Sequence, residues 1–495
     1  MHQPIGGLTA LLATVICTAA AQSQTTELQC AGFNSTFTLT PTQIEAANLS
    51  AGAAADIENT IRYDSSQLAF GGPEQDDFYT LPALTPTHNS TALKPGVLLK
   101  VQDYTNTSEY VLPPNLALSR ILYTTTDLNG TVVPASGFVL WPFQPRHFST
   151  GTPKQGAPVV LWAHGTAGLN ASRAPSAHRA LWYGDNGPFS LALAGYAVVA
   201  PDYAGLGIST SWDGSPIPHQ YETSPAGAYD ALYGLRAAWK AFPGQFQRMF
   251  IAMGHSQGGG VAWSIAERLE AEAEHFADLV KGYRGTIAAS PMTNLFASPP
   301  WLILPWVSTY LQGVYPSFDP SEWLTPLGLA RVKLLGQIQG GTAVSKTLFL
   351  DSEIYKPEWN ETLYVDAYAK LVNAGRKPFA GPLLVLQGTA DSTIPYPLTN
   401  ETVSATCALL EGSNKTRDLE FLVVNGTGHV PTLDATRVAW LQWIEDRFEG
   451  VPLQRSGCFR TEMESFRPLS NYQPVINSFV QWAGAADQWF EKPLP

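Results

Sequence analysis

Short runs of apolar and β-branched residues recur along the chain from residue 97 onward, separated by polar, glycine- or proline-bearing turns. Those at 97–101, 118–123, 132–141, 159–162, 197–200, 249–253, 285–289, 383–386 and 419–424 predict strands. From residue 159 on the runs are nearly all apolar rather than alternating, the pattern of parallel strands covered on both faces. Helical spacing falls between them. Residues 225–242 place Tyr229, Leu232, Leu235 and Trp239 on one side, 257–274 start glycine-rich and end acidic, and 434–448 carry Val438, Leu441, Trp443 and Ile444. Strands alternating with helices predict an α/β fold, a doubly wound and mostly parallel sheet with helices on both faces.

Two stretches break the alternation. Residues 22–75 are rich in Ser, Thr, Asn and Gly with weak periodicity, and a loosely structured N-terminal arm is expected there. The core should occupy 76–293 and resume at 379–460, with a C-terminal extension at 461–495. Between its halves, residues 294–378 are rich in large apolar side chains and prolines, among them Trp301, Pro305, Trp306, Tyr310, Tyr315 and Trp323. Pro305, Thr309 and Gln312 interrupt this segment too often for a membrane span. Insertions at the strand ends of such sheets commonly form lids, so a helical cap with an apolar inner face is expected over the site, rather than a plain extra layer.

Composition narrows the function classes. The chain has 495 residues, 45% of them hydrophobic, enough for a large buried core and against intrinsic disorder. With 29 Lys+Arg against 41 Asp+Glu the net charge is −12, and no basic run offers a footprint for nucleic acid or anionic lipid. Residues 1–21 read as an export signal: 8–21 are apolar and small, and Ala19-Ala20-Ala21 suits cleavage, although the leading Met1-His2-Gln3-Pro4 lacks Lys or Arg. Ten Asn-x-Ser/Thr sequons suit an exported, glycosylated chain: Asn34, Asn48, Asn89, Asn106, Asn129, Asn170, Asn360, Asn400, Asn414 and Asn425. Cys17 would leave with the signal. Of Cys30, Cys407 and Cys458, the expected bridge is Cys407–Cys458, flanking the region of His429, against the alternative of three free thiols. Their spacing offers no zinc site, and no metal or organic cofactor is expected.

The chemistry concentrates in Gly254-His255-Ser256-Gln257-Gly258, a Gly-x-Ser-x-Gly set between a predicted strand and a predicted helix. In that context the serine occupies a sharp strand-to-helix turn, where side chains on the flanking positions would collide. A binding-domain turn is the plainer reading, but it would not require partners. Serine needs a base, and in such sheets the chain order is Ser, acid, His. Downstream stand His275, in a Glu-rich helix end, and His429, in a glycine-bearing loop after a predicted strand; His429 is the candidate base. Asp391, just past the strand at 383–386, is the candidate acid, ahead of Asp351, Asp366 and Asp418. The oxyanion donors expected are the N–H of Gln257 and a group of the loop Ala163-His164-Gly165-Thr166, with Thr166 or Gly165 favoured. His164 and His255 are expected to pack structurally.

These motifs, with Pro201-Asp202-Tyr203-Ala204-Gly205-Leu206-Gly207, Gly388-Thr389-Ala390-Asp391, Asp77-Phe78-Tyr79-Thr80-Leu81-Pro82 and the segment from Trp440 to Phe448, resemble the fungal secretory lipase family of lipase A-type enzymes over residues 75–460. The resemblance implies an α/β-hydrolase fold with a helical cap and an acyl tunnel, the triad Ser256, Asp391 and His429, and Asp202 as a further oxyanion residue. It differs from tannases and feruloyl esterases, which bridge cysteines where this chain has His255 and Gly428. A secreted serine carboxylester hydrolase follows, a triacylglycerol lipase or esterase acting on lipid or other esters. Contact with lipid aggregates belongs to that expectation, without stable membrane insertion. The alternatives are an acyltransferase acting on a fungal secondary metabolite, and a catalytically dead binding protein on the same scaffold.

Overall fold

The computed structural model describes residues 37–84, 93–148, 156–350, 353–411 and 417–473. The expected export signal, Cys30, Asn34, Asn89 and Asn414 lie outside them. Among the described residues ten strands form one sheet in the order β1-β2-β3-β5-β4-β6-β7-β8-β9-β10. They are β1 (Leu98–Gln102), β2 (Ala117–Thr126), β3 (Val132–Trp141), β4 (Ala157–Ala163), β5 (Ala197–Pro201), β6 (Phe246–His255), β7 (Tyr283–Ala289), β8 (Leu383–Gly388), β9 (Leu419–Val424) and β10 (Cys458–Met463). The first three strands and the β3–β5 pair are antiparallel; every other pairing is parallel.

The apolar runs divide between the two faces because successive strand residues point oppositely. Val159 and Leu161 join the cluster under the helices Ser224–Ala241 and Gln257–Ala271, while Val160 and Trp162 join the one under Pro188–Leu193 and Arg437–Glu449. Val438, expected among the apolar positions of the last helix, faces solvent at 83% exposure. β4 lies between β5 and β6, so the chain leaves it in one direction and returns on its other side. Crevices form at the carboxyl ends of strands where such a reversal occurs.

Residues 300–372 fold into the helices Pro300–Ser308, Leu311–Val314, Pro326–Gln337, Thr342–Phe349 and Leu363–Val372, inserted between β7 and β8 with a hydrophobic cluster of their own. The N-terminal arm is not loose. It forms the helices Pro41–Ala46 and Ala51–Ser66, whose Ile57 and Ile61 complete that same cluster. Thr40 and Gln43 make a reciprocal capping box on the first, and Ser50 caps the second. Arg331 fastens the layers, donating to the carbonyls of Ala47 and Asn48.

Cys407 and Cys458 are joined in a disulfide, tying the helix Tyr396–Glu411 to β10 at the sheet edge. β10 begins inside the segment assigned to the core and ends in the expected C-terminal extension. Asn48, Asn106, Asn129 and Asn360 are exposed, and Asn400 and Asn425 are half-buried. Asn170 is half-buried too, with its side-chain nitrogen shielded from solvent.

Candidate active site

Ser256 stands between β6 and the helix Gln257–Ala271 with φ 60° and ψ −123°, a backbone conformation that costs an L-residue energy. The turn is closed by contact. A Cβ on Gly254 would lie 2.0 Å from the Gly258 carbonyl oxygen, and one on Gly258 would lie 2.0 Å from the Ala163 carbonyl oxygen. Both glycines are therefore required by space. Ser256 is 7% exposed. The first N–H to bond within the following helix is that of Gly260, to the Ser256 carbonyl, so the Gln257 N–H at the helix start carries no intrahelical bond.

Parallel pairing of β6, β7, β8 and β9 brings their carboxyl ends to one edge, with His255 opposite Ala289, Ala289 opposite Leu386 and Gly388 opposite Val424. The loops after β8 and β9 are laced together by Ala390 N–H to the Thr427 carbonyl, 3.0 Å, and Gly426 N–H to Thr389 Oγ1, 2.8 Å. On those loops His429 Nδ1 lies 2.8 Å from Asp391 Oδ2. Asp391 also accepts from the N–H groups of Thr393 and Ile394 and from Gln387 Nε2. Burial pushes its carboxyl pKa up, but the hydrogen bond and charge of His429 and these N–H groups outweigh that and hold it below the ordinary value. A carboxylate here fixes the proton on His429 Nδ1 and leaves Nε2 as an acceptor.

His255 does more than pack. Its Nε2 donates to the His429 carbonyl at 3.1 Å, its Nδ1 accepts from Tyr183 hydroxyl at 3.0 Å, and its ring centroid lies 4.5 Å from that of His429. Burial first, then the neighbouring His429, lower its pKa to about 3, so it serves as a neutral strut between elbow and base loop. No hydrogen bond joins Ser256 Oγ to His429 among the described residues; such contacts are often long in resting enzymes and tighten with substrate.

Thr166, in the loop after β4, bonds through Oγ1 to the Tyr221 hydroxyl at 3.1 Å, and the elbow helix abuts this loop through Gly258. Asp202 is not placed as an oxyanion donor. Its N–H is spent on the Ser136 carbonyl, and its buried carboxyl accepts from the Ser136 and Ser176 hydroxyls and the Ser176 N–H. Burial raises its pKa, and the serine bonds oppose the rise. His164 is structural, as expected, its ring set between the carbonyls of Gly165 and Asp202, with its pKa lowered to about 4 mainly by burial. His275 lies beyond the end of the elbow helix and meets the Tyr233 hydroxyl at 3.0 Å.

Sequence reasoning missed the segment Tyr221-Glu222-Thr223, where the sheet half meets the inserted helices. Tyr310 hydroxyl donates to the Tyr221 carbonyl and lies 2.9 Å from the Tyr368 hydroxyl, and Thr223 Oγ1 lies 2.7 Å from Tyr368 hydroxyl. The joint thus joins hydroxyls to apolar contacts, Tyr221 packing edge-on against Trp306 at 4.7 Å between ring centroids. Glu222, at φ 57°, is buried here with Oε2 lacking a hydrogen-bond partner, and burial drives its pKa up to about 8. A lone Glu between Tyr and Thr carries no sequence signal for this.

Among the described residues no group of three or more His, Cys, Asp or Glu could hold a metal ion, and no helix is long and apolar enough to cross a membrane. No curated protein matches the chain by sequence. Of solved structures, lipase A from Candida antarctica is similar at TM-score 0.61 and 16% identity, covering 81% of this chain and 91% of that one. Its closed state gives 0.58 at 16% identity, covering 85% and 93%. A mutant of the rice cell wall degrading esterase LipA from Xanthomonas oryzae gives 0.51 at 19% identity, covering 72% and 98%. These likenesses concern the fold. Residues 146–439, spanning β4 through β9 and all three of Ser256, Asp391 and His429, match the alpha/beta hydrolase family, and the chain belongs to that family.

Proposed function

We propose that the protein is a secreted serine carboxylester hydrolase of the lipase or esterase kind, related to the fungal secretory lipases. The observation that carries this reading is the strained Ser256 turn at the same sheet edge as the hydrogen-bonded Asp391–His429 pair. Ser256 Oγ attacks the ester carbonyl carbon as His429 Nε2 takes its proton, and Asp391 steadies the imidazolium through Nδ1. The oxyanion is held by the Gln257 N–H and a donor of the Gly165–Thr166 loop, in the field of the helix N-terminus. The tetrahedral species expels the alcohol, which takes the proton from His429. Water then attacks the acyl-enzyme by the same route, and the acid departs.

The inserted helices serve in this reading as a cap, and their apolar cluster supports acyl chains, triacylglycerol first, as substrate and contact with lipid aggregates. Export and glycosylation are supported by the disulfide and by the exposed sequons. A second reading, acyl transfer to an alcohol, is favoured by the near-complete burial of Ser256, since a water-poor site protects an acyl-enzyme from hydrolysis. Competition between water and an alcohol, followed by product analysis, separates the two. For the shared chemistry the test is intact-mass labelling with a fluorophosphonate. One adduct on Ser256 is expected, and none on folded Ser256→Ala; an unlabelled wild type, or an adduct elsewhere, contradicts the assignment.

A further inference from the structure

Tyr183 stands where the elbow, the base loop and the oxyanion loop meet, and the triad chemistry leaves it unused. It belongs to the connection between β4 and β5, just ahead of the helix Pro188–Leu193. Leu181 and Trp182 before it both have left-handed backbone, with φ 51° and 50°, a costly conformation for two bulky residues in succession. His178 Nδ1 helps to hold the turn, accepting from the Ala180 N–H at 3.2 Å and the Trp182 N–H at 3.3 Å. Such strain persists only where the surroundings impose it, and here it delivers one phenol to the site.

On one side the phenol leans on Gly165. A Cβ there would lie 2.6 Å from Tyr183 Cζ, so this position of the oxyanion loop must be glycine to admit the ring. On the other side the hydroxyl lies 3.0 Å from His255 Nδ1. The direction of that bond is fixed: the His429 carbonyl can only accept, so His255 carries its proton on Nε2 and its Nδ1 needs a donor. His255 is 0% exposed, which leaves Tyr183 to supply it. Burial, then Glu222 and Asp391, push the phenol pKa far above its ordinary value, so the donor keeps its proton.

We propose that Tyr183 is a positioning residue for the catalytic base, acting through His255 to hold the main chain of His429 at a set distance from the oxyanion loop on which its own ring leans. The proposal rests on the reading of Ser256, Asp391 and His429 as the reacting set. Without the hydroxyl, a buried acceptor loses its donor, a cost that a shift of the His255 imidazole relieves. That shift passes to the His429 carbonyl, 3.1 Å from Nε2, and so to the imidazole that takes the Ser256 proton. Misplacing a reacting group slows the chemical step more than it weakens binding.

The test compares wild type, Tyr183→Phe, His255→Gln and the double variant by hydrolysis of p-nitrophenyl butyrate and by the rate of Ser256 labelling with a fluorophosphonate. Tyr183→Phe keeps the ring on Gly165 and removes only the donor. Its kcat and labelling rate should fall about tenfold, with KM within about twofold of wild type and labelling still confined to Ser256. His255→Gln removes the Nδ1 acceptor, so in that background the change at Tyr183 should cost less than about twofold. If His255→Gln fails to fold, the split between kcat and KM in Tyr183→Phe decides. An unchanged kcat in folded Tyr183→Phe, a loss carried by KM, or the same loss in both backgrounds would each overturn the proposal while a labelled wild type upholds the reading of Ser256. An unlabelled wild type would overturn that reading and the proposal with it.

Discussion

At the elbow, Gly254 and Gly258 leave no space for a Cβ, and Ser256 is held at φ 60° by two strands and a helix. At the joint with the inserted helices, position depends instead on hydroxyls of Tyr310, Tyr368 and Thr223 around a buried Glu222. The first kind of constraint is steric and has one solution. The second is a polar network in a low-dielectric setting, strong when complete and sensitive to any one missing partner or to an ionisation. A rigid reactive turn beside a joint that can loosen is the arrangement expected where a covering layer must move while the chemistry stays fixed.

The largest effect should come from the rigid side. Asp391→Asn should lower kcat by about 10⁴-fold without unfolding the protein, because the imidazole loses its orienting carboxylate. Ester turnover and a melting curve check it, and a small loss would remove Asp391 from the site. At the joint, Glu222→Gln should stabilise the protein in a pH-dependent way. With a folded pKa of about 8 against an ordinary 4.5, the wild type suffers no penalty below about 4.5. As pH rises the unfolded chain ionises while the folded one must stay neutral, so stability is lost until about pH 8. The melting-temperature gain of Glu222→Gln should accordingly be near zero at pH 4.5 and reach a few kcal/mol equivalent at pH 8, and a gain independent of pH would show that Glu222 ionises freely. Tyr368→Phe should cost about 1 kcal/mol and raise proteolysis of the inserted helices before that of the sheet. Equal susceptibility of both regions would erase the contrast.

How far the sequence reached follows the same division. Nine of the strands were legible, six of them, β4 to β9, because buried parallel strands are apolar at nearly every position. β10 was not, since Cys458-Phe459-Arg460-Thr461-Glu462-Met463 lies at the sheet edge, alternately exposed and half-buried, and has no apolar run. The N-terminal helices escaped because Ala51–Ser66 buries only a narrow stripe against a distant segment, although the Thr40–Gln43 box was there to read. Ser256, Asp391 and His429 were locatable from strand ends and glycines. Asp202 misled, because its serine partners on β3 and in the loop near Ser176 lie 66 and 26 residues away in the chain. The strut role of His255 and the burial of Glu222 likewise depend on neighbours that only folding brings together.

The direct measure of whether the late-arriving imidazole activates the serine is the rate of Ser256 phosphonylation, compared between wild type and His429→Ala at neutral pH. A fall of about 10³-fold or more, with the same labelled residue and unchanged folding, is the expected result. Equal rates in the two proteins would contradict the account.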